Sequence, residues 1–85
     1  MKTTSPFPAR LKEARTNAGL SQKELGIKAG VDEFSASARL NQYERGTHSP
    51  DYSIIKSIAD VLEVPTAYFF AEEDELAALI LQFKR

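Results

Sequence analysis

Between Leu20 and Gly46 the chain signals two short helices with a glycine-containing turn between them, and this stretch carries most of what the sequence discloses. Ser21 precedes Gln22, Lys23 and Glu24 in an S-x-x-E capping box, in which the serine and the glutamate reciprocally satisfy free amides of the first turn. The earlier helix therefore begins at about Gln22. Leu25, Lys28 and Ala29 follow at helical spacing, and Gly30 just past the end supplies a left-handed conformation that stops a helix without a side-chain clash. Val31 turns the chain inward. In the later helix Leu40 and Tyr43 share a face, while Arg39, Asn41, Gln42 and Arg45 point mostly elsewhere. Gly46 is its expected C-cap.

With these elements in place the chain resembles the Cro/repressor-type (Xre-type) helix-turn-helix family of bacterial and phage transcriptional regulators, over roughly Phe7 to Phe70. The residues carrying the resemblance are Arg10-Leu11-Lys12-Glu13-Ala14-Arg15, Gly19 to Leu25, Ala29-Gly30-Val31, Gln42 to Gly46, Pro50-Asp51, Leu62 to Pro65, and Tyr68-Phe69-Phe70. The resemblance implies an all-α, lambda-repressor-like five-helix bundle. One departure is visible. Asp32 to Tyr43 make a longer stretch than the family usually places between its equivalents of Val31 and Glu44. The simplest placement of the extra residues is in Asp32 to Ser35, which lengthens the turn and leaves a recognition helix of ordinary length from about Ala36 to Arg45. The docking angle and the first base-contacting residues are left open.

Eighty-five residues suit one small domain, so a separate ligand-sensing or self-cleaving module is not expected. There is no cysteine to build a disulfide or thiolate zinc site, and His48 is the one histidine. No metal, no cofactor and no catalytic centre is expected. No apolar run reaches the length of a membrane span and Met1 to Ser5 lead into no export signal, so the expected location is cytoplasmic, on the nucleoid. Charge is divided along the chain. Residues 1–50 hold eight Lys/Arg against five Asp/Glu, a balance of +3, and residues 51–85 hold three against seven, a balance of −4, which together give the net −1. The division suits an N-terminal half that faces phosphate and a C-terminal half that faces away; ordinary scatter of surface charge is the alternative.

Residues 1–6 are expected to be a flexible lead-in, with Pro8 at a first helical position of a helix running to about Asn17, and Phe7, Leu11, Ala14 and Ala18 on its inner face. Asp51 is the expected N-cap of a helix with Tyr52, Ile55, Ile58, Ala59 and Leu62 as its buried stripe. Val64-Pro65 interrupts it, and a short helix over Thr66 to Phe69 closes the bundle. Residues 71–85 read as a further C-terminal amphipathic helix, acidic from Glu72 to Glu75 and basic at Lys84 and Arg85, with Leu76, Leu79, Ile80 and Phe83 at i, i+3, i+4 and i+7. Its apolar face is expected to dimerise; folding back as a lid on its own domain is the alternative.

The resemblance implies roles for individual residues. Gln22 and Lys23 match phosphate-clamping positions, Ser37, Ala38, Asn41 and Gln42 match base-reading positions, and Arg15 with Glu44 matches a partly buried structural ion pair. Asn and Gln can bond bidentately to adenine, which singles out Asn41 and Gln42 for direct readout. Arg39 suits a base or a phosphate and Arg45 a phosphate; Ser35 suits an N-cap, and His48 has no assigned role. Without the resemblance, Gln22 and Lys23 are an ordinary solvated first turn and Arg39 an ordinary surface residue. The expected partner is double-stranded DNA, bound by a homodimeric regulator, most simply a repressor, on a near-palindromic operator. A DNA-binding antitoxin and a protein-interaction adaptor of the same fold, using the acidic C-terminal half, remain as alternatives.

Overall fold

The computed structural model describes residues 5–83, so residues 1–4 of the expected lead-in and the basic pair Lys84 and Arg85 lie outside it. The element order is α1 (Phe7–Asn17), α2 (Gln22–Lys28), α3 (Ala36–Arg45), α4 (Tyr52–Leu62), a 3-10 helix (Thr66–Phe70) and α5 (Asp74–Leu81). There is no strand among the described residues. The architecture is all-α and lambda-repressor-like.

Local chemistry sets most boundaries. The Ser21 hydroxyl accepts from the Glu24 amide while the Glu24 carboxylate accepts from the Ser21 amide, and that bond holds the Glu24 pKa below its ordinary value. Asp51 caps α4 by accepting from the Ile54 amide. Gly46 ends α3 at φ +77°, the left-handed conformation that a side chain disfavours. Ser35 occupies the N-cap position of α3 but makes no capping bond, because its hydroxyl turns back toward Asp32 Oδ2 at 3.5 Å.

The core gathers Phe7, Leu11 and Ala14 of α1, Leu25 of α2, Leu40 and Tyr43 of α3, Ile55, Ile58, Ala59 and Leu62 of α4, and Tyr68 and Phe69 of the 3-10 helix. Phe7 meets Phe69 edge-on at 5.3 Å, which ties the start of α1 to the closing turn. Two residues leave their expected faces. Tyr52 is largely exposed, and at the first turn of α4 the half-buried Ile54 packs on the core instead. Ala18, the C-cap of α1, is exposed because the helix has already ended.

The C-terminal helix is shorter than its apolar pattern. It spans eight residues, with Glu73 at its N-cap and Phe83 beyond its end. Arg10, buried on α1, sets its attitude: Nε donates to the Ala71 carbonyl at 3.0 Å, and Nη2 reaches Asp74 Oδ1 at 3.1 Å. Held this way, α5 turns the buried Ala77 and half-buried Ile80 toward the core. Leu76, Leu79 and Phe83 remain exposed.

The corner between α2 and α3 depends on Gly26. A Cβ built there would stand 2.8 Å from Ala36 Cβ and 2.9 Å from Leu40 Cδ2, closer than carbon atoms tolerate. Gly26→Val is expected to lower unfolding free energy by about 2 kcal/mol, the ordinary cost of overpacking; denaturant titration with an unchanged midpoint would show that the corner opens freely. A second test concerns Tyr68, whose hydroxyl donates to Glu13 Oε1 at 2.6 Å. Burial first, and that hydrogen bond second, push its pKa from 10.0 up to about 12. Folded and unfolded chains both keep this proton below pH 10. Above it the unfolded chain releases the proton first, so this contribution to stability is expected to fade as pH rises toward about 12. Melting profiles of wild type and Tyr68→Phe should therefore converge through that window.

Candidate nucleic-acid interface

The reading face follows from how α3 is seated. Ala36, Leu40 and Tyr43 recur at i, i+4 and i+7 and are buried, which fixes the rotation of the helix. Turned the opposite way are Ser37, Ala38, Asn41 and Arg45, all exposed, with Gln42 half-buried at one edge. This stripe is polar and uncovered.

Its orientation is braced by one buried carboxylate. Arg15 of α1 donates through Nε to Glu44 Oε2 at 2.5 Å and through Nη2 to Oε1 at 3.0 Å, with side chains only 12% and 4% exposed. The same guanidinium donates through Nη1 to the Leu20 carbonyl at 2.9 Å, just before α2. Hydrogen bonding to Glu44 raises the Arg15 pKa above its ordinary value, so the guanidinium stays charged. Gln22 of α2 joins from the other side, with Nε2 donating to Glu44 Oε1 at 3.1 Å and to Asn41 Oδ1 at 3.4 Å. Three helices meet on Glu44. No buried side-chain nitrogen or oxygen among the described residues lacks a partner.

The remaining site residues fall into two groups. Lys23 is exposed in the first turn of α2, and Arg45 in the last turn of α3. Arg39 lies off the outward stripe, lining a groove with Val31, Tyr43, His48, Ser49, Pro50, Asp51 and Ile54 where α3 meets the start of α4. Gln22 is placed differently from a simple phosphate clamp. Both hydrogens of its side-chain amide are engaged within the protein, so what it has for an external anion is its backbone N–H, one of the first-turn amides without an intrahelical acceptor. Sequence reasoning missed this engagement, along with the close approach at Gly26 and the Arg10 cluster. The first turn of α2 and the end of α3 are separated by about twenty residues, and no local spacing rule links them. No group of His, Asp or Glu among the described residues could hold a metal.

A family model described as helix-turn-helix matches residues 11–69. An uncharacterized HTH-type transcriptional regulator of Sinorhizobium medicae is 31% identical over 64 residues, covering 75% of this chain and 43% of the relative. The HTH-type transcriptional regulator ImmR of Bacillus subtilis is 32% identical over 65 residues, covering 76% of this chain and 48% of the relative. The chain thus spans a little under half the length of these curated relatives. Among solved structures, the transcriptional regulator BswR matches with a TM-score of 0.85 and 58% identity, covering 89% of this chain and 75% of that one. A structure of the SinR protein/SinI protein complex matches with a TM-score of 0.67 and 26% identity, covering 87% and 74%.

Brace and reading face separate in a mutational test. Glu44→Ala leaves the Arg15 guanidinium poorly solvated and is expected to lower stability by about 3 kcal/mol. Gln42→Ala, at the edge of the outward stripe, is expected to change stability by no more than about 0.5 kcal/mol while weakening DNA binding. Equal stability losses in the two variants would mean that the roles are wrongly divided.

Proposed function

The chain belongs to the Cro/repressor-type helix-turn-helix family, and from that premise we propose that it is a sequence-specific DNA-binding transcriptional regulator, a repressor that acts as a homodimer on a near-palindromic operator. The observation that carries the reading is the outward stripe of α3, solvent-exposed at Ser37, Ala38, Asn41 and Arg45 and held from behind by the Glu44 brace. Asn41 turns its Oδ1 toward Gln22, which leaves its amide N–H groups for a base edge. Gln42 and Asn41 read bases, with Ser37 and Ala38 beside them making shorter contacts. Lys23, Arg45 and the first-turn amides of α2 hold phosphate. Arg39, set toward α4, suits a flanking phosphate better than the centre of the groove.

Dimerisation is assigned to α5. Leu76, Leu79 and Phe83 form an exposed apolar edge with Ile80 at its inner border, and a second copy of the same face would cover it. Two recognition helices would then meet successive major grooves about 34 Å apart. Repression follows when the bound dimer occludes polymerase. The reading places the protein in the cytoplasm, on the nucleoid; no helix among the described residues is long and apolar enough to cross a membrane. It involves no cofactor and no catalysis.

A protein partner is the second reading, and one observation favours it: a similar structure, SinR, is in complex with SinI. In this chain such a partner would use the acidic, apolar-edged C-terminal segment, as an antitoxin or adaptor would.

Genomic DNA fragments selected by the purified protein at two salt concentrations test the proposal. The expected result is a two-fold symmetric motif whose affinity falls on the order of a thousandfold between roughly 50 and 200 mM salt, as release of counterions from several phosphates requires. Leu79→Glu, at an exposed position, should leave the fold intact but convert the protein to a monomer in sedimentation and weaken the symmetric site. Absence of enrichment at low salt sinks the DNA reading, and a wild-type monomer sinks the dimer.

A further inference from the structure

Phe34 is the most exposed large apolar side chain among the described residues, 94% open to solvent, and it stands in the lengthened turn immediately before α3. Isolated surface aromatics are common and by themselves mean little. This one is held in a defined place. Its amide donates to Asp32 Oδ2 at 3.0 Å, the Ser35 amide donates to the Asp32 carbonyl at 3.0 Å, and the Arg39 amide donates to the Ser35 carbonyl at 2.8 Å, carrying the turn directly into the first turn of the helix. The ring is therefore displayed from the N-terminal end of α3, the end that enters the major groove in this mode of docking.

The charges beside it decide which part of DNA it meets. Glu33 is exposed next to Phe34, and the stretch from Val31 to Ala38 contains no basic residue. A turn bearing a free carboxylate is repelled by the phosphate ridge. The turn therefore has nothing with which to grip the ridge, and the one apolar group that the major groove offers a ring is the C5-methyl of thymine. We propose that Phe34 is a specificity-determining residue that packs on a thymine methyl group at the edge of each half-site. The lengthened turn thus adds an apolar readout to the polar readout of α3.

This proposal rests on the DNA-binding reading above, and its test separates the two. In the operator recovered by selection, each thymine of a half-site is replaced in turn by deoxyuridine, which removes only the methyl, and affinities are measured for wild type and Phe34→Ala. At one thymine, wild type is expected to lose about fourfold per half-site, the effect of exposing one methyl-sized group. Phe34→Ala should bind the thymine operator weaker by at least that factor and should not distinguish thymine from uracil there, with an unchanged melting temperature. Wild type indifferent to every replacement, or Phe34→Ala discriminating as wild type does, overturns the proposal while leaving DNA binding intact. Loss of self-association in Phe34→Ala without loss of discrimination also overturns it, making the ring a protein contact. If wild type shows no salt-sensitive, sequence-specific binding, the DNA reading falls first and this proposal with it.

Discussion

The Glu44 carboxylate is where the packing of the helical corner becomes directional. A buried ion pair adds little net stability when compared with a well-packed apolar replacement, because two charges must be stripped of water before they attract. Direction is a different matter. The planar fork of Arg15 meets both carboxylate oxygens and also the Leu20 carbonyl, and these three bonds together fix the mutual arrangement of α1, the turn before α2 and the end of α3. Gln22 adds α2 through the same oxygen and passes the constraint to Asn41, whose amide lies on the outward stripe. The proposed reading face is therefore oriented from behind by groups that never leave the protein.

Apolar packing supplies the complementary constraint. Leu40 and Tyr43 seat α3 against the core, but they permit sliding along the helix axis; Gly26 removes that freedom by letting α2 approach until Ala36 and Leu40 fill the space of the missing Cβ. Close backbone approach at one end and a multiply bonded carboxylate near the other leave α3 little latitude. A side chain displaced by an ångström loses its hydrogen bond to a base edge, so this rigidity is what a readout based on Asn41 and Gln42 would require.

What was legible in the sequence was chiefly local. The capping box at Ser21 and Glu24, the Asp51 cap, the left-handed Gly30 and Gly46 and the apolar periodicity of α3 each depend on residues a few positions apart, and each helix boundary near them appears where those signals put it. Ser35 shows the limit of such rules: the residue type fits an N-cap, but Asp32, three positions earlier, competes for the hydroxyl. The family pattern pairs Arg15 with Glu44 across the chain, but nothing local joins Gln22 to that pair. Arg10 was equally hidden. Its partners Ala71, Tyr68 and Asp74 lie about sixty residues away, and two of its contacts are to a backbone carbonyl and a ring face, which no charge-pairing rule anticipates.

That cluster explains why the C-terminal stripe was only half interpretable. Periodicity identifies an apolar face without saying whether the face looks inward, and the answer is set by a few atoms at the start of the helix. Arg10 gathers the Ala71 carbonyl and the Asp74 carboxylate against α1, so α5 begins at Asp74 with Ala77, rather than Leu76 or Leu79, beneath it. The packing runs from α3 through α1 to the 3-10 helix and on to α5, placing the acidic residues Glu72 to Glu75 at the far end of a chain of contacts from the proposed reading face. On the proposed reading the apolar edge that joins two copies lies beside these acids, so its burial has to outweigh the repulsion between two like-charged segments.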